Sequence, residues 1–293
     1  MTLLFQQLAG GIATGAIYAS LALALVLIYR STHIVNFAQG EMAMFSTFVA
    51  WQFTAWGVPV WGGIFLALGL SFLGGLAIER VVIRPIEGSS ILSVVIVTLG
   101  MLLVFNQAAS WIWSSVIKSF PNPFPSGAVF LGDVRISYAD LGIVMVLAVT
   151  VTLLYLLFQH TTVGLAMRAA ASNPESSRLV GINVGRMLML GWGLAAVLGT
   201  LAGVLVAPKL FLEPNMMLAV QIYAFASATL GGFDSPVGAV VGGIIVGVAE
   251  NLAGTYVGFI GSDLKIAVPL VIIFAVLMVK PAGLFGRHVA ARV

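Results

Sequence analysis

The feature that most constrains this chain is a series of long apolar runs with hardly a charged residue inside them. Of 293 residues, 60% are hydrophobic and only 8% are charged, whereas a soluble domain carries roughly 25% charged residues. A soluble core of this length cannot hide so much apolar surface, but lipid solvates it. Because the runs are continuous rather than alternating, they do not indicate a β-barrel. The sequence therefore predicts an all-α fold, a polytopic transmembrane helical bundle.

The apolar runs predict eight or nine crossings, since each crossing needs about 20 apolar residues. In chain order, the runs are Gln6–Tyr29, Met42–Trp56, Trp61–Ile78, Ile91–Trp113, Leu141–Phe158, Leu188–Ala207, Met216–Leu230, Val237–Leu252 and Ile266–Val279. The segments on either side of Gly231–Pro236 are either separate spans or the two halves of a broken helix. We expect one transmembrane domain over residues 1–293, with a cytoplasmic loop at 160–186 and an external loop at 114–138 that contains a β-like segment, Ala128–Ile136.

The distribution of Lys and Arg predicts which loops face the cytoplasm. One side holds nine cations, namely Arg30, Arg80, Arg84, Arg168, Arg178, Arg186, Lys280, Arg287 and Arg292. The other side holds four, namely Lys118, Arg135, Lys209 and Lys265. Since cytoplasmic loops carry the excess of positive charge, the first side is expected to be cytoplasmic. An odd number of crossings then places the N-terminus outside and the C-terminus inside.

The sequence contains no motif that would indicate catalysis. A Gly-rich phosphate loop ending in Lys and Ser/Thr is missing, and so are HExxH and GxSxG. There is no cysteine, and His33, His160 and His288 are too far apart in sequence to suggest a metal site. We therefore expect no catalytic residue, no metal and no cofactor. The net charge of +3 comes from dispersed basic residues, which does not indicate nucleic acid. If the chain moves a solute uphill, the energy must come from an ion gradient or from another subunit.

A polar stretch between two long apolar runs, residues 160–186, has the features of two short capped helices. Gly164 opens the run GLAMRAAA, and Ser172-Asn173-Pro174-Glu175 supplies a cap, a proline and an acid for a second helix. Gly181 marks a helix end. A loop that only connects two spans does not need this construction, so we expect a docking surface for a cytoplasmic partner, with exposed arginines; a plain amphipathic connector is the alternative. The candidate docking residues are Gly164, Arg168, Asn173, Pro174, Glu175, Arg178 and Gly181.

Polar residues in or beside the apolar runs form a second candidate group. They are costly in lipid, so they face a cavity or a partner. The candidates for lining a solute path are Asn36, Gln39, Glu41, Asn106, Gln107, Gln221, Glu250 and Asn251. For each of them, interhelical hydrogen bonding or helix capping is the alternative. Most are neutral amides, which suits a zwitterion or a neutral polar solute.

Four stretches, in order along nearly the whole chain, carry a resemblance to a known family. They are GAIYASLALALVLIYRSTHIVNFAQGEMAMFSTFVAW, GLAMRAAASNPESSRLVGINVGR with the following LGWGLAAVLGTLAGVLVAP, TLGGFDSPVGAVVGGIIVGVAEN, and KPAGLFGRH. Together they resemble the LivH-type permeases, the membrane subunits of branched-chain amino acid ABC transporters. Asp234 stands where that family more usually has Gly, and Lys280 stands where it has Arg.

The resemblance implies a single permease domain in the bacterial cytoplasmic (inner) membrane. It also implies that this domain transports branched-chain or related amino acids. It also implies partners: a second permease subunit (a sister chain or a copy), two cytoplasmic ATP-binding subunits that hydrolyse ATP, and an external solute-binding protein. In such an importer loop 160–186 would be the coupling element. One alternative is a permease of the same family for urea, short amides or other amino acids. The other is a self-sufficient secondary transporter or channel, for which Glu250 is the one deep acid in the sequence.

Overall fold

The structure is a computed structural model that describes residues 2–32, 34–258, 260–261 and 264–286. Its α-helices are α1 Thr2–Thr32, α2 Gln39–Ala55, α3 Val60–Ile78, α4 Ile91–Trp113, α5 Tyr138–His160, α6 Thr162–Ser172, α7 Pro174–Leu179, α8 Val184–Leu210, α9 Met217–Gly231, α10 Pro236–Tyr256 and α11 Ala267–Val279. Helix α3 continues as a π-helical turn, Glu79–Ile83, and a 3-10 turn, Arg84–Ile86. Two strands, β1 Ala128–Leu131 and β2 Val134–Ser137, precede α5.

Six helices of the described residues are long and apolar enough to cross a membrane: α1, α3 with its two added turns, α4, α5, α8 and α10. Helices α9 and α11 are apolar but shorter. A multi-pass helical membrane bundle therefore fits, whereas the predicted count of eight or nine crossings is not confirmed. Each predicted run coincides with a helix. Most helices extend past their apolar run, because the backbone hydrogen bonds of a helix continue through polar residues.

The chain divides into two compact units, and each is described separately below. The first unit comprises Met1–Val26, Phe124–Met145 and Ala219–Val293. The second unit comprises Leu27–Pro123 and Val146–Leu218. Loop 160–186 lies wholly within the second unit, and each unit contains buried polar residues that the sequence singled out.

In the first unit, α1 packs closely against α10 through glycines on both helices. A Cβ atom added to Gly15 would lie 2.7 Å from the carbonyl oxygen of Gly243, and one added to Gly247 would lie 2.6 Å from the carbonyl oxygen of Gly11. Small residues allow two backbones to approach this closely in lipid, where helix association depends on packing. The small-residue spacing in these helices therefore serves their contact.

Replacing Gly15 by valine is expected to lower the stability of the detergent-solubilised protein. The branched side chain cannot fit without separating α1 from α10, and overpacking of this kind costs about 1–3 kcal/mol. Thermal unfolding in detergent measures the loss. The matched control is Gly69→Val in α3, where an added Cβ has no described atom within 4 Å. Equal losses in the two variants would contradict the close approach.

The turn between α9 and α10 contains glycines and packs against Gly283, near the end of the described residues. Gly232 has a φ of +98°, and the Ser235 hydroxyl caps α10 by accepting from the Gly238 N–H at 3.0 Å. Because α10 has 21 residues of its own, the two helices are separate elements joined by a tight turn. A Cβ on Gly283 would lie 2.6 Å from the Cα atom of Gly232. Two of the four family-like stretches, distant in sequence, therefore lie together.

Loop 114–138 contains an antiparallel hairpin, which confirms the β-like segment, with Val129 opposite Ile136. The Gln6 side chain of α1 brackets Arg135 of this hairpin: its Nε2 donates to the Arg135 carbonyl oxygen at 2.6 Å, and its Oε1 accepts from the Arg135 N–H at 3.0 Å. The start of α1 and the hairpin therefore lie at the same end of the first unit. The prediction that this end is external, and the predicted orientation of the termini, stay predictions. Arg287 and Arg292, which that prediction used, lie outside the described residues.

In the second unit, α8 packs against both α2 and α3 through small residues. A Cβ on Gly203 of α8 would lie 2.9 Å from the Ala43 carbonyl oxygen of α2. A Cβ on Gly75 of α3 would lie 2.6 Å from the Trp192 carbonyl oxygen of α8. Most of α8 is buried as a result. Since α8 begins at Val184, within loop 160–186, this loop is attached to the buried centre of the unit.

Candidate functional site

Helix α6 folds back against the end of α5 at Gly164. The helix begins two residues before the predicted start, at Thr162, because the Thr161 hydroxyl caps it by accepting from the Gly164 N–H at 3.0 Å. A Cβ on Gly164 would lie 2.6 Å from the Cα atom of Phe158. Gly164 therefore permits a close backbone contact and does not itself open the helix.

Asn173 separates the two short helices, as predicted from the sequence. Helix α6 ends at Ser172, and the Asn173 side chain accepts from the Ser176 N–H at 2.9 Å to cap α7. Pro174 occupies the first turn of α7, where a missing N–H has no cost. Glu175 lies in the same turn, where a negative charge suits the helix dipole. These residues fix the break between α6 and α7 at Asn173, whose backbone is extended.

The end of α7 and the start of α8 are also capped. Gly181 has a φ of +86°, and the N–H of Ile182 donates to the Ser177 carbonyl oxygen at 3.0 Å. This is the bonding pattern of a Schellman motif, in which a residue without Cβ ends the helix. The Asn183 side chain then accepts from the Arg186 N–H at 3.0 Å and caps α8. Loop 160–186 is therefore a defined structure in which consecutive helices meet at capped ends.

Two adjacent apolar side chains project from this loop, Leu179 with 88% exposure and Val180 with 75% exposure. We call them the apolar tip. Glu175 and Arg178 are exposed beside them on α7. The residue types and spacings of the sequence indicate the charged and capping residues of this loop but not the tip. The sequence does contain a pattern that could have indicated the tip. In a helix this short, a Leu-Val pair directly before a helix-ending glycine cannot point both side chains toward a hydrophobic core.

Arg168 differs from the expectation that the arginines of this loop are exposed. It is half-buried, and its Nη1 donates to the Gln159 side-chain oxygen at the end of α5, at 3.2 Å. The prediction of exposure is wrong for this residue because α6 folds onto α5 and carries Arg168 inward. Arg178 and Arg186 are exposed, as expected.

Glu41, Asn106 and Asn215 form a polar cluster in the second unit. The Asn106 Nδ2 lies 3.3 Å from a carboxylate oxygen of Glu41, 3.2 Å from the Asn215 Oδ1 and 3.0 Å from the Pro214 carbonyl oxygen. Glu41 is only 2% exposed. Asn106 therefore connects α4 to the first turn of α2 and to the segment that follows α8. The cluster brings two predicted path residues together with Asn215, which the sequence does not indicate.

Gln107 is more loosely attached to this cluster, and Asn36 and Gln39 lie apart from it in hydrogen bonds of their own. The Gln107 Nε2 donates to the Asn106 side-chain oxygen at 3.4 Å, in an exposed position. Asn36 accepts from the Ala38 N–H at 3.0 Å and donates to the Gln39 side-chain oxygen at 3.1 Å. Gln39 donates to the Ala195 carbonyl oxygen of α8 at 2.9 Å. Asn36 thus stabilises the turn before α2, and Gln39 makes an interhelical bond.

Glu250 lies in a second polar cluster, within the first unit. It is 8% exposed and accepts a hydrogen bond from the Tyr18 hydroxyl at 2.6 Å. Tyr223 also hydrogen-bonds to it, and the Tyr18 and Tyr223 rings stack with centroids 4.5 Å apart. The sequence indicates the acid as a candidate but not the two tyrosines. The cluster joins α1, α9 and α10, with Asn251 next to it in sequence and Gln221 buried on α9.

Among the residues that the structure describes, no group of three His, Cys, Asp or Glu side chains could hold a metal ion. Two of the three histidines, His33 and His288, lie outside those residues. What the described chain offers is a capped loop with an apolar tip and two polar clusters between helices. Such an arrangement can bind a partner and contact a polar solute.

Comparison with known proteins identifies the family. The family model described as "Branched-chain amino acid transport system / permease component" matches residues 7–279. The high-affinity branched-chain amino acid transport system permease proteins LivH of Salmonella typhimurium and Escherichia coli are each 29% identical over 299 residues, which cover 96% of this chain and 95% of those proteins. BraD of Pseudomonas aeruginosa, a permease protein with the same description, is 29% identical with the same coverage. The matches confirm the resemblance and span nearly the whole chain, which therefore belongs to the family of branched-chain amino acid transport system permeases.

Proposed function

We propose that this permease moves branched-chain or related amino acids across the bacterial cytoplasmic membrane, driven by separate ATP-binding subunits that dock on loop 160–186. Family membership supports a role as the membrane permease of an ABC importer rather than as an enzyme. The substrate class is proposed because the relatives are named for branched-chain amino acid transport. We further propose that residues 1–293 act as one permease domain, since the family match extends across both units.

The observation that carries the docking proposal is the apolar tip. Two large apolar side chains in a polar loop have no folding role at such exposure, and exposed apolar groups rimmed by polar residues mark interaction surfaces. Protein interfaces commonly have an apolar core surrounded by a polar rim. Glu175 and Arg178 supply that rim here. The caps at Asn173 and Gly181 hold the tip in place before any partner binds, which reduces the entropy lost on docking.

Movement of the tip would reach the membrane part of the second unit by two routes. One route runs through α6, which lies against the end of α5 at Gly164. The other runs through the capped start of α8, which packs on α2 and α3. Beyond the far end of α8 lie Pro214 and Asn215, which Asn106 holds. We propose that closure of the ATP-binding subunits shifts these helices and re-gates a path beside Glu41 and Asn106.

The polar cluster around Asn106 fits the proposed solute. A carboxylate and several amide oxygens can accept hydrogen bonds from the ammonium group of an amino acid zwitterion. Polar groups of this kind inside a membrane bundle commonly mark solute pathways. The proposed assembly contains this permease, a second permease subunit (a sister chain or a copy), two ATP-binding subunits and an external solute-binding protein. Membrane lipid surrounds it, and nucleic acid has no place in it.

Photo-crosslinking from the apolar tip tests the docking proposal. The chain contains no cysteine, so Val180→Cys provides a unique attachment point for a thiol-directed photo-crosslinker. In the assembled importer we expect this variant to crosslink to an ATP-binding subunit. The control is Leu131→Cys on the exposed hairpin, which should not crosslink to that subunit. An assembled and active importer in which Val180→Cys gives no such product would contradict the proposal.

A further inference from the structure

An ion pair lies at the end of the membrane segment that begins with α3. The Arg84 guanidinium donates two hydrogen bonds to the Glu79 carboxylate, from Nε to Oε1 at 3.2 Å and from Nη2 to Oε2 at 2.9 Å. Glu79 is almost completely buried, with 1% of its side chain exposed. The pair brackets the π-helical turn Glu79–Ile83. Turns of this kind are rare and occur frequently at functional sites.

Arg84 also reaches across to the first turn of α8. Its Nη2 donates to the Gly185 carbonyl oxygen at 2.7 Å. A Cβ on Gly185 would lie 3.2 Å from the guanidinium carbon, so a side chain at that position would press on the arginine. We call Glu79, Arg84 and Gly185 the Arg84 clamp. It joins the end of the α3 segment to α8 at the point where loop 160–186 enters the membrane part of the unit.

Helices α3 and α8 also pack directly against each other. A Cβ on Gly75 would lie 2.8 Å from the Cα atom of Gly193, so the two backbones are in contact there. The clamp adds a polar connection between the end of the α3 segment and the first turn of α8.

We propose that Arg84 is a positioning residue for transport, which transmits displacement of loop 160–186 from α8 to α3. The inference rests on the proposed docking of the ATP-binding subunits on that loop. Stability alone is a weak reason for the pair, because replacing a buried ion pair by apolar residues is often neutral. A planar fork that holds a carboxylate and a carbonyl oxygen together supplies geometry that lysine cannot. The clamp therefore fixes the relative position of two helices.

Arg84→Lys tests this role because it keeps the charge and loses the fork. The variant is placed in the complete importer with its ATP-binding subunits and solute-binding protein, and ATP hydrolysed per solute imported is measured in vesicles. We expect this ratio to rise about tenfold, the equivalent of one lost hydrogen bond to a charged group. Gly185→Ala, whose added Cβ would lie 3.2 Å from the guanidinium carbon, should raise the ratio in the same direction. The control is Arg80→Lys, exposed on the same π-helical turn, which should leave it unchanged.

The inference is overturned if Arg84→Lys assembles and has the same ratio as Arg80→Lys. It is equally overturned if neither Arg84→Lys nor Gly185→Ala assembles, since the clamp is then a folding element only. If only Gly185→Ala assembles, a raised ratio in that variant supports the inference and an unchanged ratio overturns it. Crosslinking from Val180→Cys in the otherwise unchanged importer separates the two proposals. If the crosslink is retained and the Arg84 variants leave the ATP-per-solute ratio unchanged, only the inference about the clamp is refuted. If the crosslink is missing, the docking proposal is refuted.

Discussion

Replacing Leu179 by aspartate is expected to abolish solute uptake by the assembled importer. Leu179 is 88% exposed in the second unit, so the substitution removes no packing inside the chain. It places a charge where the proposed ATP-binding partner offers an apolar surface. Loss of an interface anchor costs about 2–4 kcal/mol, which weakens docking roughly 30- to 1,000-fold. Affinity of the purified permease for the ATP-binding subunit in detergent, and uptake into vesicles, should fall together.

Ser176→Asp is the matched control for this variant. It adds the same charge at an exposed position of α7, in the first turn, where the helix dipole favours an acid. We expect nearly normal docking and uptake. Equal losses in the two variants would mean that any added negative charge on the loop is harmful. Normal uptake with Leu179→Asp would show that the apolar tip does not dock.

Replacing Asn106 by leucine is expected to reduce uptake about tenfold or more while the ATP-binding subunits still copurify. The leucine removes a donor from the buried Glu41 carboxylate and from the Pro214 carbonyl oxygen. Buried polar groups left without partners cost about 1–3 kcal/mol each, and charged groups cost more. The segment after α8 and the start of α2 should therefore lose their fixed positions. Uptake and ATP hydrolysis in vesicles measure the effect.

Gln107→Leu separates the neighbouring amide from this effect. The Gln107 side chain is more exposed than that of Asn106. Its hydrogen bond to the Asn106 side-chain oxygen is long, at 3.4 Å. We expect uptake within about twofold of normal, in line with the small effect of most surface substitutions. If Gln107→Leu impairs uptake as strongly as Asn106→Leu, the cluster around Glu41 is not the critical feature. Unaffected uptake in both would make the two amides packing residues.

The helix ends of loop 160–186 could be predicted from the sequence because capping is local. Asn173 bonds to an N–H three residues along the chain, and Gly181 adopts its conformation within a single turn. Residue type and spacing contain that information. The exposure of Arg168 depends instead on how α6 folds onto α5, a contact that no spacing rule specifies. The sequence therefore located the loop but not the surface that it presents.

The polar clusters could be predicted only in part, since their members are far apart in sequence. The sequence indicates Glu41 and Asn106 separately, as costly polar residues, but nothing in it pairs them with Asn215. It gives no indication of Tyr18, because a tyrosine in an apolar run is ordinary. Only the folded chain brings its hydroxyl to Glu250. Hydropathy predicted the apolar runs but not the crossing number, since it does not decide whether a short apolar helix spans the membrane.

The measurement that tests the central claim most directly is solute uptake by sealed vesicles containing the purified permease, with and without its proposed partners. The account predicts accumulation of a branched-chain amino acid only when the ATP-binding subunits, the solute-binding protein and ATP are all present. The permease alone, under an imposed proton or sodium gradient, should accumulate nothing above the level of empty vesicles. Accumulation by the permease alone would contradict the account, because the chain would then not depend on movement transmitted through loop 160–186.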